Sequence, residues 1–326
     1  MIPNRSTAGL MTQMSSLNSD ITDPGVPELS EVSPGIYAYT QPDGTWWINN
    51  TGFLVGPQGV ISIDTCSTRR RTQAYLNAIA TVTDARIRAV INTHHHGDHT
   101  FGNCMFPGAA ILGHDRTRSE AIASGPPGDF PFWDGPDWGG LTPDPPFITF
   151  SDEITLHAGD LQAQVRYVGA AAHTTNDSII WLPERAVLFC GDLIFNGGTP
   201  FLLMGSVAGA IDVLEDVIRP LGAEVIVPGH GQVFSGSRPI DDTVDYLRFV
   251  LDLAAASQRA GLTPLEAARQ ADLGRFADWA DRERLVGNLH RAYAEHDGAP
   301  RGAAIDVPSA LADMVTYNGG PLSCMA

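Results

Sequence analysis

Four metal-ligand candidates are packed into one turn of this chain, His94-His95-His96-Gly97-Asp98-His99. The segment follows the short apolar run Ala89-Val90-Ile91, which reads as a buried strand ending at Asn92-Thr93. Side chains alternate direction along extended chain, so His94 and His96 share one side while His95 points away. Asp98 and His99 lie just past Gly97, where a turn can swing them toward a second ion. Three more candidates arrive in order. His173 precedes the apolar run 178–182, Asp192 ends the run 187–191, and His230 sits in Pro-Gly-His-Gly after Val225-Ile226-Val227. A lone histidine in a loop is ordinarily just a polar loop residue. Three strand-end residues trailing a histidine cluster point instead to a metal centre.

Neutral imidazole and carboxylate donors suit zinc, and paired ions sit about 3.5–4 Å apart with water between them. Zinc brings the pKa of bound water to about 7, which supplies hydroxide at neutral pH. Iron or manganese also accepts nitrogen and oxygen donors, so zinc is the favoured ion and not the sole candidate.

The set His-x-His-x-Asp-His, then a lone His, then Gly-Asp, then Gly-His-Gly resembles the metallo-β-lactamase-fold hydrolases, from about residue 50 to 232. Asp64, after Val60-Ile61-Ser62-Ile63, matches that superfamily's early buried aspartate. The resemblance implies a four-layer αβ/βα sandwich. It also implies that His94, His96 and His173 hold one zinc while Asp98, His99 and His230 hold the second, with Asp192 bridging. β-Lactamases of the best-known subclass carry cysteine in the strand region that here ends in Asp192, which disfavours antibiotic hydrolysis. Cys190, inside an apolar run, reads as core.

A second resemblance extends from about residue 30 to the C-terminus. The run 191–201, Gly-Asp-Leu-Ile-Phe-Asn-Gly-Gly-Thr-Pro-Phe, is similar to the second-ring cyclases of bacterial aromatic polyketide pathways, as in actinorhodin biosynthesis. So are Gly205-Ser206-Val207-Ala208-Gly209, the run 263–269 and the ending Tyr317-Asn318-Gly319-Gly320. This similarity implies ring closure by intramolecular aldol condensation with loss of water, then thioester hydrolysis, on a chain carried by an acyl carrier protein. Asp98 would be the catalytic base. Arg69-Arg70-Arg71, Arg116 and Arg118 would offer the carrier a basic rim. The alternative reading is a general metallo-hydrolase of small thioesters or lactones. Loss of the ligands would leave a mere scaffold, but every ligand position is filled.

Composition sets the frame. The 326 residues are 43% hydrophobic, enough for a sizeable core, and the net charge of −17 disfavours nucleic acid and anionic membranes as partners. No stretch is long and apolar enough to span a bilayer, and the N-terminus shows no basic segment leading into an apolar core. Cys66, Cys104, Cys190 and Cys324 lack paired spacing, as reduced thiols in a cytoplasmic protein would.

The elements that must position the ligands follow from periodicity. Residues 1–28 read as a flexible tail, 29–238 as the catalytic domain, and 239–326 as a helical extension that covers the sandwich or builds a homodimer. Strands are predicted at 35–40, 48–55, 60–64, 89–93, 153–157, 162–168, 178–182, 186–191 and 224–227. Helices are predicted at 69–82, near 115–124, and from Ser206 to about 220. The Pro/Gly-rich stretch 125–147 forbids a regular element. Phe130, Phe132, Trp133, Trp138 and Phe147 within it, with Trp46 and Trp47 upstream, read as the wall of a flat apolar substrate pocket. His114 and His157 read as structural, and His290 and His296 as solvent-facing on a polar helix.

Overall fold

A computed structural model describes residues 25–326 other than Pro42 and Asp129. The predicted tail therefore lies mostly outside the described residues; its last residue already begins β1 (Glu28–Ser33). β1, β2 (Ile36–Thr40), β3 (Thr51–Gly56) and β4 (Gly59–Ile63) form an antiparallel meander. The chain then passes through α1 (Arg69–Val82) to β5 (Ile87–Ile91), the turn α2 (Gly97–Thr100), β6 (Ala110–His114), α3 (Asp115–Ser124) and β7 (Ile148–Phe150). β4 to β7 pair in parallel, completing a seven-stranded sheet in sequence order.

The second sheet has five strands: β8 (Glu153–Ala158), β9 (Leu161–Tyr167), β10 (Ser178–Leu182), β11 (Val187–Asn196) and β12 (Val225–Gly231). β11 and β12 run parallel, so a crossover is required, and α4 (Val207–Asp212) with a following π-helical turn supplies it. Four helices end the chain: α5 (Arg238–Arg259), α6 (Pro264–Gln270), α7 (Arg284–His296) and α8 (Val307–Asn318).

Three apolar clusters define the layers. Ile36, Leu54, Ile63 and Ile91 of the first sheet meet Val165, Ile180, Leu182 and Phe189 of the second. On the outer face of the first sheet, Tyr75 and Ile79 of α1 pack on Phe53, Val60 and Val90. On the outer face of the second, Leu188 and Cys190 meet Leu214, Val250, Val286 and Leu289 from α5, α7 and the crossover. The order helix, sheet, sheet, helix is the predicted four-layer αβ/βα sandwich with a helical C-terminal segment. Cys190 belongs to this core as predicted, and all four cysteines are unpaired.

Local chemistry explains why the elements begin where they do. Thr68 accepts the Arg71 amide at 3.2 Å and caps α1 at the predicted boundary. Ser206 does the same for α4, accepting from Gly209 at 2.9 Å. Thr263 and Glu266 form a reciprocal capping box on α6. β1, β6 and β7 escaped prediction. β1 is a polar edge strand, and β7, at three residues, is too short to show a period.

Other expectations are corrected. α7 is no polar surface helix: Leu285, Val286, Leu289 and Ala292 are core, and Asn288 hydrogen-bonds the backbone of Leu202 and Pro200. His296 is exposed, but His290 is half-buried against Asp313 at 2.9 Å. His114 is structural as expected, stacked on Tyr167 and bonded to Ser151 O, whereas His157 is exposed. Arg71 is not available to a basic rim. It is buried and its guanidinium donates to the carbonyls of Trp47 and Asn49.

Candidate metal centre

Both sheets converge on one end of the sandwich. The first contributes the segment after β5, which carries His94, His96, Asp98 and His99. The second contributes His173, ahead of β10, together with Asp192 of β11 and His230 of β12. Asp192 lies inside β11 and not at its end, because the strand resumes after an irregularity in its pairing with β12. Gly229 makes room for it: a Cβ there would stand 1.9 Å from Asp192 Oδ1.

The ligand atoms form two groups that share Asp192. In His94-His96-His173-Asp192 and in Asp98-His99-Asp192-His230, one atom from each residue lies within 4.8 Å of all the others. Asp192 stands 3.1 Å from His99 Nε2, 3.3 Å from His230 Nε2 and 3.4 Å from His173 Nε2. Asp98 Oδ2 is 3.3 Å from His230 Nε2. His95 points away as alternation requires, bonded to Asn176.

The far side of each ring fixes which nitrogen faces inward. His173 Nδ1 donates to Phe201 O at 2.5 Å, and His230 Nδ1 to Gly44 O at 3.0 Å. His99 Nδ1 donates to Asp64 Oδ2 at 2.9 Å. In a neutral ring the inward Nε2 is then a lone pair. Asp64 is itself buried at φ 58° and also accepts from the Thr93 amide and hydroxyl, each at 2.8 Å. These contacts make it the orienting partner of His99.

The inward atoms are poorly satisfied by protein alone. His94 Nε2 and His96 Nε2 are buried without a hydrogen-bond partner, and His99 Nε2 and Asp192 Oδ1 have only each other at 3.1 Å. His173 Nε2 faces His96 Nδ1 at 2.9 Å, lone pair toward ring nitrogen. Such convergence of unpaired donor atoms on a common point fits a divalent cation. Electrostatics agrees. Burial, with His99 nearby, holds His94 well below the usual histidine range. Burial would raise Asp192, but His99, His230 and His173 outweigh it and hold the carboxyl well below the carboxylate range. Burial would lower His99, yet Asp192, Asp64 and Asp98 drive it well above. These carboxylates demand positive charge, which a cation would provide in place of the protons.

Above the ligands opens a cleft of about 490 Å³, its mouth included. Trp46, Trp47 and Trp133 line it, joined by Phe195, Phe201, Met204 and Arg284. Trp46 stands edge-on to Trp133 and Phe201, at 5.3 and 5.0 Å between centroids. Phe130 and Trp138 pack on Trp47, and Phe132 on Trp133, which makes them a backing layer and not the wall. Phe147 is misassigned: it is 82% exposed, beside the short edge strand β7. Arg284 was invisible in the sequence because a lone arginine opening a helix carries no signal. Asn50, equally silent, ties the early loop to the His230 turn through the carbonyls of Pro228 and Gly231.

The metallo-beta-lactamase superfamily profile matches residues 44–230, more than half of the chain and all the ligands just described. The chain belongs to the metallo-beta-lactamase superfamily. Among solved structures, this superfamily member resembles the stereoselective inverting sec-alkylsulfatase Pisa1 from Pseudomonas sp.. The TM-score is 0.63 at 18% identity, over 84% of this chain and 51% of that one, a likeness of fold alone. Among curated relatives, it is 31% identical over 147 residues to the hydroxyacylglutathione hydrolase of Thermosynechococcus vestitus, covering 44% of this chain and 48% of that protein. The enzyme of the same name from Rhodospirillum rubrum is 31% identical over 141 residues, 43% of this chain and 46% of the relative. The chain thus spans about half the length of these relatives. Their named substrate is an acylglutathione, a thioester. That finding overturns the second-ring cyclase reading, whose C-terminal motifs resembled a family that these relatives do not represent.

Proposed function

We propose that the protein is a zinc-dependent hydrolase of small acyl thioesters that holds two ions. The carrying observation is the shared Asp192, which joins two buried ligand groups at the floor of an apolar cleft. Similarity to hydroxyacylglutathione hydrolases supports the thioester as substrate. His94, His96 and His173 would hold one ion, Asp98, His99 and His230 the other, with Asp192 between them. When bound, such ions supply a hydroxide nucleophile at neutral pH and draw electrons from the scissile carbonyl.

The chain's own residues do the rest. Trp46, Trp133 and Phe201 exclude water and hold the acyl group flat above the ligands. Asp98 borders the cleft and would hold the proton that the nucleophilic water gives up. The departing thiol, with a pKa of about 8.5, needs little help to leave. Asp64 and the carbonyls of Phe201 and Gly44 keep three imidazoles in the tautomer that faces inward.

The test is direct. Zinc-loaded protein is given a hydroxyacylglutathione, an acyl thioester of N-acetylcysteamine, a simple lactone and a β-lactam, with thiol release or ring opening followed. The expected outcome is fast, metal-dependent thiol release, falling by at least about 100-fold in Asp192→Ala, where both groups lose a ligand. Faster opening of the lactone would shift the assignment to that class, and inertness toward all four would end the hydrolase reading.

A further inference from the structure

Every candidate ligand lies at or before His230, yet the helical segment after it shapes the wall of the cleft. Trp46 and Trp133 line the cleft and meet edge-on, 5.3 Å between centroids and 73° between planes. Neither ring belongs to a helix or a named strand, so contacts from elsewhere must hold each in place. Trp46 is held by the start of α7. Its Nε1 donates to Glu283 Oε1 at 2.6 Å, and both residues are buried. The Arg284 guanidinium carbon stands 4.1 Å from the centre of the same ring, over its face. Edge and face are thus both fixed from α7.

Trp133 is held by a strap. It lies in the irregular stretch 125–147, where the chain has no helix and no strand to brace it. Among the described residues, the hydrogen bonds that tie 130–134 to the rest of the chain both run to Leu322. The Leu322 amide donates to Phe132 O at 2.8 Å, and its carbonyl accepts from the Asp134 amide at 2.9 Å. Trp133 and Leu322 stand opposite each other in this short parallel bridge. The Leu322 side chain is wholly buried in the cluster built by α5, α7 and α8, which anchors the far side of the strap. Without it, the loop would keep only its ring contacts, such as Trp133 on Trp47 at 5.5 Å.

We propose that Glu283 and Leu322 are positioning residues that seat Trp46 and Trp133, and that the wall so formed selects thioesters of medium-length, unbranched alkyl acyl groups. Trp46 crosses Trp133 at 73° and Phe201 at 74°, so the three rings present an angular apolar surface. They offer no pair of parallel faces to sandwich an aromatic ring. A flexible alkyl chain follows an angular surface, and Met204 beside it adapts to the chain. Each methylene removed from water adds to binding, whereas an acetyl group would leave most of the wall uncovered. This proposal rests on the thioester-hydrolase reading and narrows its substrate.

The experiment compares hexanoyl and acetyl thioesters of N-acetylcysteamine on the zinc-loaded protein. The expected result is a hexanoyl preference in kcat/KM of roughly 10–100-fold. In Glu283→Ala and in Leu322→Ala that ratio should fall at least about fivefold, through a higher KM for hexanoyl. Glu283→Gln keeps an acceptor for the indole and Leu322→Met keeps the buried volume, so both should retain the ratio. Zinc affinity by chelator competition should be alike in all four, since none removes a candidate ligand. If one alanine variant does not fold, the other carries the test. Equal turnover of the two thioesters overturns the proposal, and a ratio that survives in a folded alanine variant overturns the role of that residue. Calorimetry with the S-hexyl and S-ethyl thioethers, which cannot be hydrolysed, separates the two readings. If no thioester is cleaved, the hydrolase reading fails, yet tighter hexyl binding that is lost in the alanine variants would still sustain the wall. Equal binding of the two thioethers would end it.

Discussion

Asp64 shows how much a residue that touches no substrate can govern. Its carboxylate holds His99 Nδ1 while the Thr93 amide and hydroxyl hold the carboxylate. Asp64→Asn keeps the shape and tolerates the positive φ but removes the charge that orients and enriches the imidazole. Zinc affinity measured by chelator competition should fall about 10–100-fold. His95 makes the opposite case, a histidine of the motif kept out of the centre. Burial lowers its pKa to about 4, against a partly compensating bond from Asn176. The unfolded chain therefore takes up a proton below about pH 6.5 that the fold refuses, so stability is present above that pH and lost as pH falls toward 4. In chelator-treated protein, His95→Gln should flatten the acid side of the stability profile between those values, measured by urea midpoints. An unchanged slope would show that His95 does not set it.

At the scale of elements, polar caps place the ligands as surely as strands do. Ser206 accepts from Gly209, and its own amide donates to Ala172 O, next to His173. One residue thus starts α4 and pins the loop that carries a ligand. Ser206→Ala should cost about 1 kcal/mol, read as a lower denaturant midpoint at unchanged slope. Alternation in 89–96 and the helical spacing of Tyr75 and Ile79 were legible because each element has a single environment along its length. α7 was not, since its buried face mixes Arg284, Asn288 and Arg291 with leucine and valine, and polarity alone put it on the surface. Phe147 failed for the same kind of reason: an aromatic in a loop says nothing about which way the loop turns.

At the scale of the molecule, the candidate metal centre would act as a clasp between two sheets. Four candidate ligands come from the first sheet's loop and three from the second, with Asp192 shared by both groups. A cation bound only by the folded state stabilises by mass action, by about 4 kcal/mol at a thousandfold excess over Kd. For a chain of this size that corresponds to a rise in Tm of roughly 6 °C on zinc loading, measurable by calorimetry against chelator-treated protein. No shift would mean that the sheets close without the ion.

The sequence by itself determined the candidate ligands, their order and the sandwich that presents them. Ligand chemistry allows few residue types, strand ends place them at short fixed intervals, and the intervening apolar runs have readable periods. It also led toward a cyclase that comparison with known proteins did not sustain, because motifs near a shared centre do not specify what is bound above it. Only the tertiary structure decided which aromatics form the wall, that Arg71 is buried, and that Arg284, some fifty residues beyond the last ligand, stands in the cleft with an unpaired Nε. Those facts depend on how a distant helix packs across the sheet, a matter of long-range contact that leaves no period or spacing in the chain.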